Sequence, residues 1–203
     1  MFVTSLVRRV RAALVACAVG GALVLAGCDN KQPSFQNLDI TGNSQFATDF
    51  ALPDTNGKLR TLADFKGKAV ILLVGYTHCP DVCPTTMAEL SQAMQQLGPD
   101  AARVQVLFVT VDPARDTPEV LSQYVAAFNP SFIGLRPTDA QLAKVAKDFR
   151  VYYAKVEGKT PDSYTMDHTA ASYVFDPSGK LRLFARDGQG VRPWIHDLRL
   201  LLG

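Results

Sequence analysis

The residues that most often bind metals or form disulfides are scarce in this sequence. Among 203 residues there are four cysteines, at positions 17, 28, 79 and 83, and three histidines, at positions 78, 168 and 196. So few cysteines exclude a disulfide-dense scaffold, and a chain of this length buries its core without disulfides. We therefore expect the cysteines to serve chemistry rather than stability.

Acidic residues are absent from the first 27 positions. This segment instead contains Arg8, Arg9 and Arg11, followed by an almost wholly apolar stretch over residues 12–26 that includes Cys17. A basic start and an apolar run of about 15 residues are typical of a secretory signal peptide, and the run is short for a transmembrane helix. The sequence therefore predicts a signal peptide over residues 1–27.

The end of this segment, Leu-Ala-Gly-Cys at residues 25–28, resembles the bacterial lipobox. The resemblance implies cleavage before Cys28 and attachment of lipid to its sulfur. The chain is then expected to be held at the cell membrane by its lipid anchor, with its domain facing the periplasm. The alternative is an uncleaved signal anchor in which Cys28 occurs by chance.

An excess of positive charge is also lacking once this segment is set aside. The whole chain has 21 lysines and arginines against 19 acidic residues. Residues 1–27 hold three arginines and no acid, which leaves 18 against 19 and a net charge of −1. A basic surface is therefore not expected, and nucleic acid is disfavoured as a partner.

The remaining pattern predicts one α/β domain behind a tether. Residues 28–48 are polar with few large apolar groups, and we expect a lipidated, flexible tether there. Residues 49–203 have the order of a β-hairpin with an Asn56-Gly57 turn, then βαβ, a further helix and ββα. This order predicts a thioredoxin-like fold, with a central mixed β-sheet flanked by helices and an N-terminal β-hairpin.

Cys79 and Cys83 lie between a buried apolar strand, residues 69–76, and a helix. Pro84 predicts that the helix begins there, so both cysteines are expected on a loop at the positive end of the helix dipole, which favours thiolates. Such a loop allows the sulfurs to form a disulfide or to share a metal ion. Two thiolates and an imidazole suit copper. Zinc, which prefers four ligands, and a redox dithiol without metal are the alternatives.

The three histidines are the candidates for a third ligand. His168 precedes a predicted core strand, and in a thioredoxin-like fold its loop faces the cysteines. We expect Asp167 to orient the imidazole, as metal-bound histidines usually require. His78 is expected to point away from Cys79, and His196 lies on the last predicted helix as an ordinary, partly exposed residue.

Charged residues also cluster before the helix that starts near Pro118. Asp112, Arg115 and Asp116 have the composition of an acid–base centre, but their spacing favours a turn followed by a helix cap. We therefore expect them to have a structural role.

Together these residues resemble the Sco/SenC family. The resemblance rests on three motifs in this order: Tyr76-Thr77-His78-Cys79-Pro80-Asp81-Val82-Cys83-Pro84, then Val111-Asp112-Pro113 with Arg115-Asp116-Thr117-Pro118-Glu119, then Asp167-His168-Thr169. It implies a thioredoxin fold that binds one copper ion, as Cu(I), Cu(II) or both, through Cys79, Cys83 and His168.

The same resemblance implies a copper metallochaperone that delivers copper to the dinuclear copper centre of cytochrome c oxidase subunit II. It also leaves open a thiol-disulfide reductase, in which Cys79 and Cys83 are a redox-active pair that keeps the cysteines of that centre, or of other extracytoplasmic partners, reduced. Other periplasmic copper carriers or thiol reductants are further expected partners. A peroxidase is disfavoured, because the Pro-x-x-x-Thr-x-x-Cys approach to the first cysteine is missing. Since a metal carrier completes no turnover, we do not expect an enzyme.

Overall fold

A computed structural model describes residues 34–160 and 163–203. Residues from Phe35 to Gly203 form one compact unit. Within the described residues, no helix combines the length and hydropathy needed to cross a membrane. The predicted signal peptide over residues 1–27 and the predicted lipidation site Cys28 lie outside the described residues, and both stay predictions.

The described chain alternates short strands with four α-helices. The strands are β1 (Leu38–Asp39), β2 (Ala51–Pro53), β3 (Leu59–Thr61), β4 (Ala69–Gly75), β5 (Val104–Thr110), β6 (Ile133–Leu135), β7 (Tyr153–Val156), β8 (Thr165–His168), β9 (Ala171–Phe175) and β10 (Leu181–Arg186). The α-helices are α1 (Val82–Leu97), α2 (Pro118–Phe128), α3 (Asp139–Phe149) and α4 (Val191–Leu202), and two 3₁₀ helices cover Leu62–Phe65 and Gly98–Arg103.

Six strands form the central sheet, in the order β1-β10-β9-β4-β5-β6. β4, β5 and β6 are parallel to one another, whereas β9, β10 and β1 each pair antiparallel with their neighbours. β2 and β3 form a separate hairpin around Asn56 and Gly57, and β7 and β8 form a second one. The predicted mixed α/β architecture with its N-terminal hairpin is confirmed.

β4 and β5 are buried along their whole length because helices cover both faces of the sheet. Side chains alternate between the faces, so that Ile71 and Leu73 pack with α1, α2 and α4. Leu72 and Val74 point the other way and pack with α3 and the first hairpin. Each such side chain contributes about 1.5–3 kcal/mol on burial. The sheet is therefore a rigid platform for the loop that follows β4.

The folded unit begins earlier than the sequence predicted. β1, within the segment predicted to be a tether up to residue 48, pairs with β10 at the sheet edge. The backbone N–H groups of Gln36 and Asn37 donate to the Asp197 carboxylate of α4 at 2.8 and 2.9 Å. A two-residue edge strand has no periodicity of its own, and its contacts are with residues at the far end of the chain. For these reasons its sequence does not reveal it.

Helix α1 also begins earlier, at Val82 instead of Pro84. Its first intrahelical bond is donated by the Thr85 N–H to the Asp81 carbonyl at 3.2 Å. Pro84 is accommodated in the first turn because the N–H that it lacks would have no intrahelical acceptor there. Cys83 therefore lies on the helix and only Cys79 lies on the loop, which corrects the prediction that both cysteines are on a loop.

Candidate metal centre

Three side chains from distant parts of the sequence meet at the end of β4. Cys79 lies on the loop after β4, Cys83 in the first turn of α1, and His168 at the end of β8. One potential ligand atom from each lies within 4.8 Å of the other two, and Cys83 Sγ is 3.6 Å from His168 Nε2. A trigonal site with bonds of about 2.0–2.3 Å separates its ligand atoms by about 4 Å. The three predicted site residues are thus already near the spacing that one ion requires.

The loop that carries Cys79 is tied to a buried carboxylate. The hydroxyl of Thr77 donates to Asp116 Oδ1 at 2.6 Å, and its backbone N–H donates to Oδ2 at 3.1 Å. Thr110 at the end of β5 donates to the same carboxylate. Asp116 was predicted to cap α2, but Thr117 takes that position and accepts from the Val120 N–H. Asp116 is therefore free to anchor the cysteine loop.

The orientation of His168 follows from the alternation of side chains along β8. His168 is directed inwards and Asp167 outwards, where it is exposed. His168 Nδ1 is 3.0 Å from the backbone carbonyl of Thr169. A carbonyl only accepts hydrogen bonds, so Nδ1 carries the proton and the lone pair of Nε2 is left for a metal ion. The predicted role of Asp167 as the orienting group is wrong, because a backbone carbonyl has that role.

The two thiols differ in their electrostatics. Both cysteines are reduced, Cys83 is fully buried and Cys79 is half-buried. The pKa of Cys79 is lowered to about 5, first because the Cys83 thiol donates a hydrogen bond to its sulfur. The backbone N–H groups of Asp81 and Cys83 lower it further. The adjacent Cys79 thiolate and burial raise the pKa of Cys83. The apo site therefore holds a thiolate on Cys79 and a proton on the fully buried Cys83.

Gly75, the last residue of β4, is a site residue that sequence reasoning missed. A Cβ at this position would lie 2.8 Å from Cys83 Sγ and 3.0 Å from Phe108 Cζ. Only glycine therefore lets Cys83 pack against the end of the strand. The available signal was an isolated glycine at the end of an apolar strand, which indicates a close approach of another group.

The other two histidines lie outside this group of three. His78 is half exposed, with Nδ1 3.1 Å from the Thr77 hydroxyl and 3.8 Å from the Asp116 carboxylate. His196 Nδ1 is 2.7 Å from Asp197 on α4. Both positions agree with the expectation that neither histidine is the third ligand.

The donor set suits a soft metal ion. Thiolate sulfurs favour copper(I) or zinc, and the imidazole is accepted by copper in either oxidation state. A structural zinc site has four protein ligands, whereas a catalytic zinc site has three and a water. Three groups converge here among the described residues, which argues against a structural zinc site and suits copper.

The sequence of the chain is similar to those of known proteins over most of its length. A family model described as SCO1/SenC matches residues 39–203. The mitochondrial SCO2 homolog of Bos taurus is 38% identical over 172 residues, which cover 82% of this chain and 64% of the relative. The chain thus spans somewhat less than two thirds of that relative's length.

Solved structures agree with this result. ScoI of Bradyrhizobium japonicum with copper bound is 40% identical, with a TM-score of 0.66, and the match covers 76% of this chain and 98% of ScoI. Apo Sco1 of Thermus thermophilus is 38% identical, with a TM-score of 0.73, and the match covers 85% of this chain and 99% of Sco1. These matches cover most of the chain, and the family model over residues 39–203 includes all three residues of the candidate site.

Proposed function

Since the chain belongs to the SCO1/SenC family, we propose that it binds one copper ion through Cys79, Cys83 and His168 and serves cytochrome c oxidase assembly. In this proposal it delivers copper to the dinuclear centre of oxidase subunit II. The observation that carries the proposal is the convergence of two sulfurs and one imidazole nitrogen within 4.8 Å. The copper-bound structure of the similar ScoI supports it.

The arrangement of the three groups suits transfer as well as binding. Cys83 is buried on a helix, whereas Cys79 lies on a loop and is partly exposed. A three-ligand site leaves room for a ligand of the acceptor to join the metal before a donor ligand leaves. Because Cys79 is already a thiolate, copper binding displaces only the proton held by Cys83. Cys79 is the ligand that we expect an acceptor to replace first.

A thiol-disulfide reductase is the second candidate, and the lowered pKa of Cys79 favours it. In this reaction the Cys79 thiolate attacks a partner disulfide, forms a mixed disulfide and releases one partner thiolate. Cys83 then loses its proton and attacks the Cys79 sulfur, which releases the second partner thiolate and leaves a Cys79–Cys83 disulfide. A periplasmic thiol reductant must restore the dithiol. This reaction needs both cysteines but does not need His168.

Changing His168 separates the two candidates. We expect the full chain, with its thiols reduced and then loaded with copper(II), to hold one ion with a sulfur-to-copper charge-transfer absorption. His168→Ala should weaken copper binding by at least about 100-fold, because losing even an outer partner of a ligand costs about 10- to 100-fold. Chelator competition and metal analysis measure this, and His196→Ala is the matched control.

Two outcomes would count against copper delivery. If His168→Ala kept the affinity and spectrum of the wild type, the proposed ligand set would be incorrect. If cells with His168→Ala lost copper binding by this protein but still assembled their oxidase, the reductase would be favoured.

We further propose that lipid on Cys28 holds the chain at the cell membrane with its domain in the periplasm. The compact unit starts at Phe35, seven residue steps from Cys28, and seven steps span at most about 25 Å. The domain would then be held close to the membrane surface.

Replacing Cys28 tests this anchor. The wild-type protein should begin at Cys28 and carry the lipid mass, and Cys28→Ser should lose that mass. Cys17→Ser, within the predicted signal peptide, should leave the mass of the mature protein unchanged. A wild-type protein that keeps residues 1–27 and carries no lipid would have an uncleaved signal anchor instead.

A further inference from the structure

The imidazole ligand lies on an element that the central sheet does not include. His168 belongs to the hairpin of β7 and β8, a two-stranded sheet of its own. Its C-terminal side continues into β9 after two residues, so one side of His168 is fixed by the core. Its N-terminal side, through Thr165, must be held by other contacts.

Tyr164, the residue before β8, supplies these contacts. Its hydroxyl donates to Asp112 Oδ1 at 2.8 Å, and its backbone carbonyl accepts from Arg115 Nη1 at 2.8 Å. The Arg115 guanidinium also lies 3.5 Å from the centroid of the Tyr164 ring, and Arg115 Nε donates to Asp112 Oδ2. We call Asp112, Arg115 and Tyr164 the latch.

The latch is part of the same turn that holds the cysteine side of the site. Asp112 and Asp116 belong to one turn, in which the Asp116 N–H donates to the Asp112 carbonyl at 3.0 Å. Asp116 binds Thr77 of the Cys79 loop. One short segment between β5 and α2 therefore contacts the hairpin of His168 and the loop of Cys79.

A second line of contacts connects the latch to the imidazole. The Arg115 guanidinium is 5.9 Å from the centroid of the Tyr76 ring. The Tyr76 ring meets the His168 ring edge to face, with centroids 5.8 Å apart. Arg115 therefore faces both Tyr164, which directly precedes β8, and Tyr76, whose ring packs against the His168 imidazole.

We propose that Asp112, Arg115 and Tyr164 are positioning residues that hold His168 at the distance from Cys79 and Cys83 that copper requires. This proposal rests on the copper-binding function proposed above. The latch touches no ligand atom and acts by fixing the hairpin on the turn that also anchors the cysteine loop. Because outer contacts of metal ligands typically change affinity by about 10- to 100-fold, opening the latch should speed copper loss by about 10-fold.

The sharpest test is Tyr164→Phe, which removes the hydroxyl bond to Asp112 and keeps the ring beneath Arg115. The control is Tyr152→Phe, because Tyr152 precedes the same hairpin, is 63% exposed and lies outside the latch. In the apo full chain, Tyr164→Phe should increase amide exchange of residues 165–168. In the copper-loaded chain, it should shift the charge-transfer spectrum and speed copper loss to a chelator by about 10-fold.

Arg115→Lys is a second variant, since lysine keeps the charge but loses the planar stacking and the paired hydrogen bonds. It should reproduce both effects. Amide exchange and copper loss equal to those of Tyr152→Phe in both variants would overturn the proposal. A change in the urea midpoint with an unchanged spectrum and copper-loss rate would also overturn it, because the latch would then be merely structural. If the wild-type chain bound no copper, the proposed function would fail. Amide exchange of residues 165–168 in the apo chain would still decide whether the latch holds the hairpin.

Discussion

Replacing Cys83 by serine or by alanine will weaken copper binding by more than about 100-fold, a larger loss than for a residue that only contacts a ligand. Cys83 is the buried member of the site, and its sulfur lies 3.6 Å from His168 Nε2. Serine offers a hard oxygen and alanine offers no ligand, so neither replaces a soft thiolate. Chelator competition on the reduced, full-length variants measures the loss.

The same two variants should differ in the reactivity of Cys79. In the wild type, a pKa of about 5 keeps Cys79 a thiolate at neutral pH, so its alkylation rate should fall only as the pH drops through about 5. The Cys83 thiol is the largest cause of this lowering. Serine still donates a hydrogen bond and should keep the low midpoint. Alanine does not, and the midpoint should rise towards about 8.5, the ordinary value.

Mass spectrometry of the alkylated peptides, after short exposure to iodoacetamide between pH 4 and pH 10, follows Cys79 in both variants. A midpoint near 5 in Cys83→Ala would show that another group stabilises the thiolate. Tight copper binding by Cys83→Ser would remove Cys83 from the ligand set.

Gly75→Ala should damage stability and copper binding together. The new methyl group would come 2.8 Å from Cys83 Sγ and 3.0 Å from Phe108, inside a packed core. Overpacking of this kind lowers the free energy of unfolding by about 1–3 kcal/mol. Because Cys83 must move away from β4, copper affinity should fall by about 10-fold or more.

Val74→Ala separates these two effects. Val74 is buried on the opposite face of β4, in the core that packs against α3. Its truncation leaves a cavity and destabilises the fold, but it leaves the face that contacts Cys83 unchanged. Urea unfolding should therefore show a lower stability for both variants, whereas copper affinity should fall only in Gly75→Ala. Equal copper affinities would mean that Cys83 is not pressed against Gly75.

The fold was predictable where the signal is local and repeated. The apolar run over residues 69–76 and the Asn56-Gly57 turn both led to the elements observed. The predictions failed at element ends. β1 depends on contacts with residues far along the chain, such as that between Asn37 and Asp197, which no local pattern encodes. In α1 the first turn accommodates Pro84, so the proline did not mark the start of the helix.

The candidate site was predictable to different degrees for its three members. Cys79 and Cys83 stand out because cysteine is scarce and because both follow a buried strand. His168 lies 85 residues beyond Cys83, and it was identified by its place before a predicted core strand together with the family resemblance. Its partner on Nδ1 is a backbone carbonyl, which a sequence cannot show.

The sequence by itself determined the fold class, the pair of thiols and the shortage of other soft ligands, because burial periodicity and residue chemistry are properties of short segments. Only the tertiary structure decided how far apart the three ligand atoms lie, which sulfur carries the proton, and why β4 must end in glycine. It also brought Tyr164 to Asp112 and Arg115. These features depend on distances between segments far apart in the chain, and those distances are set by packing across the whole sheet.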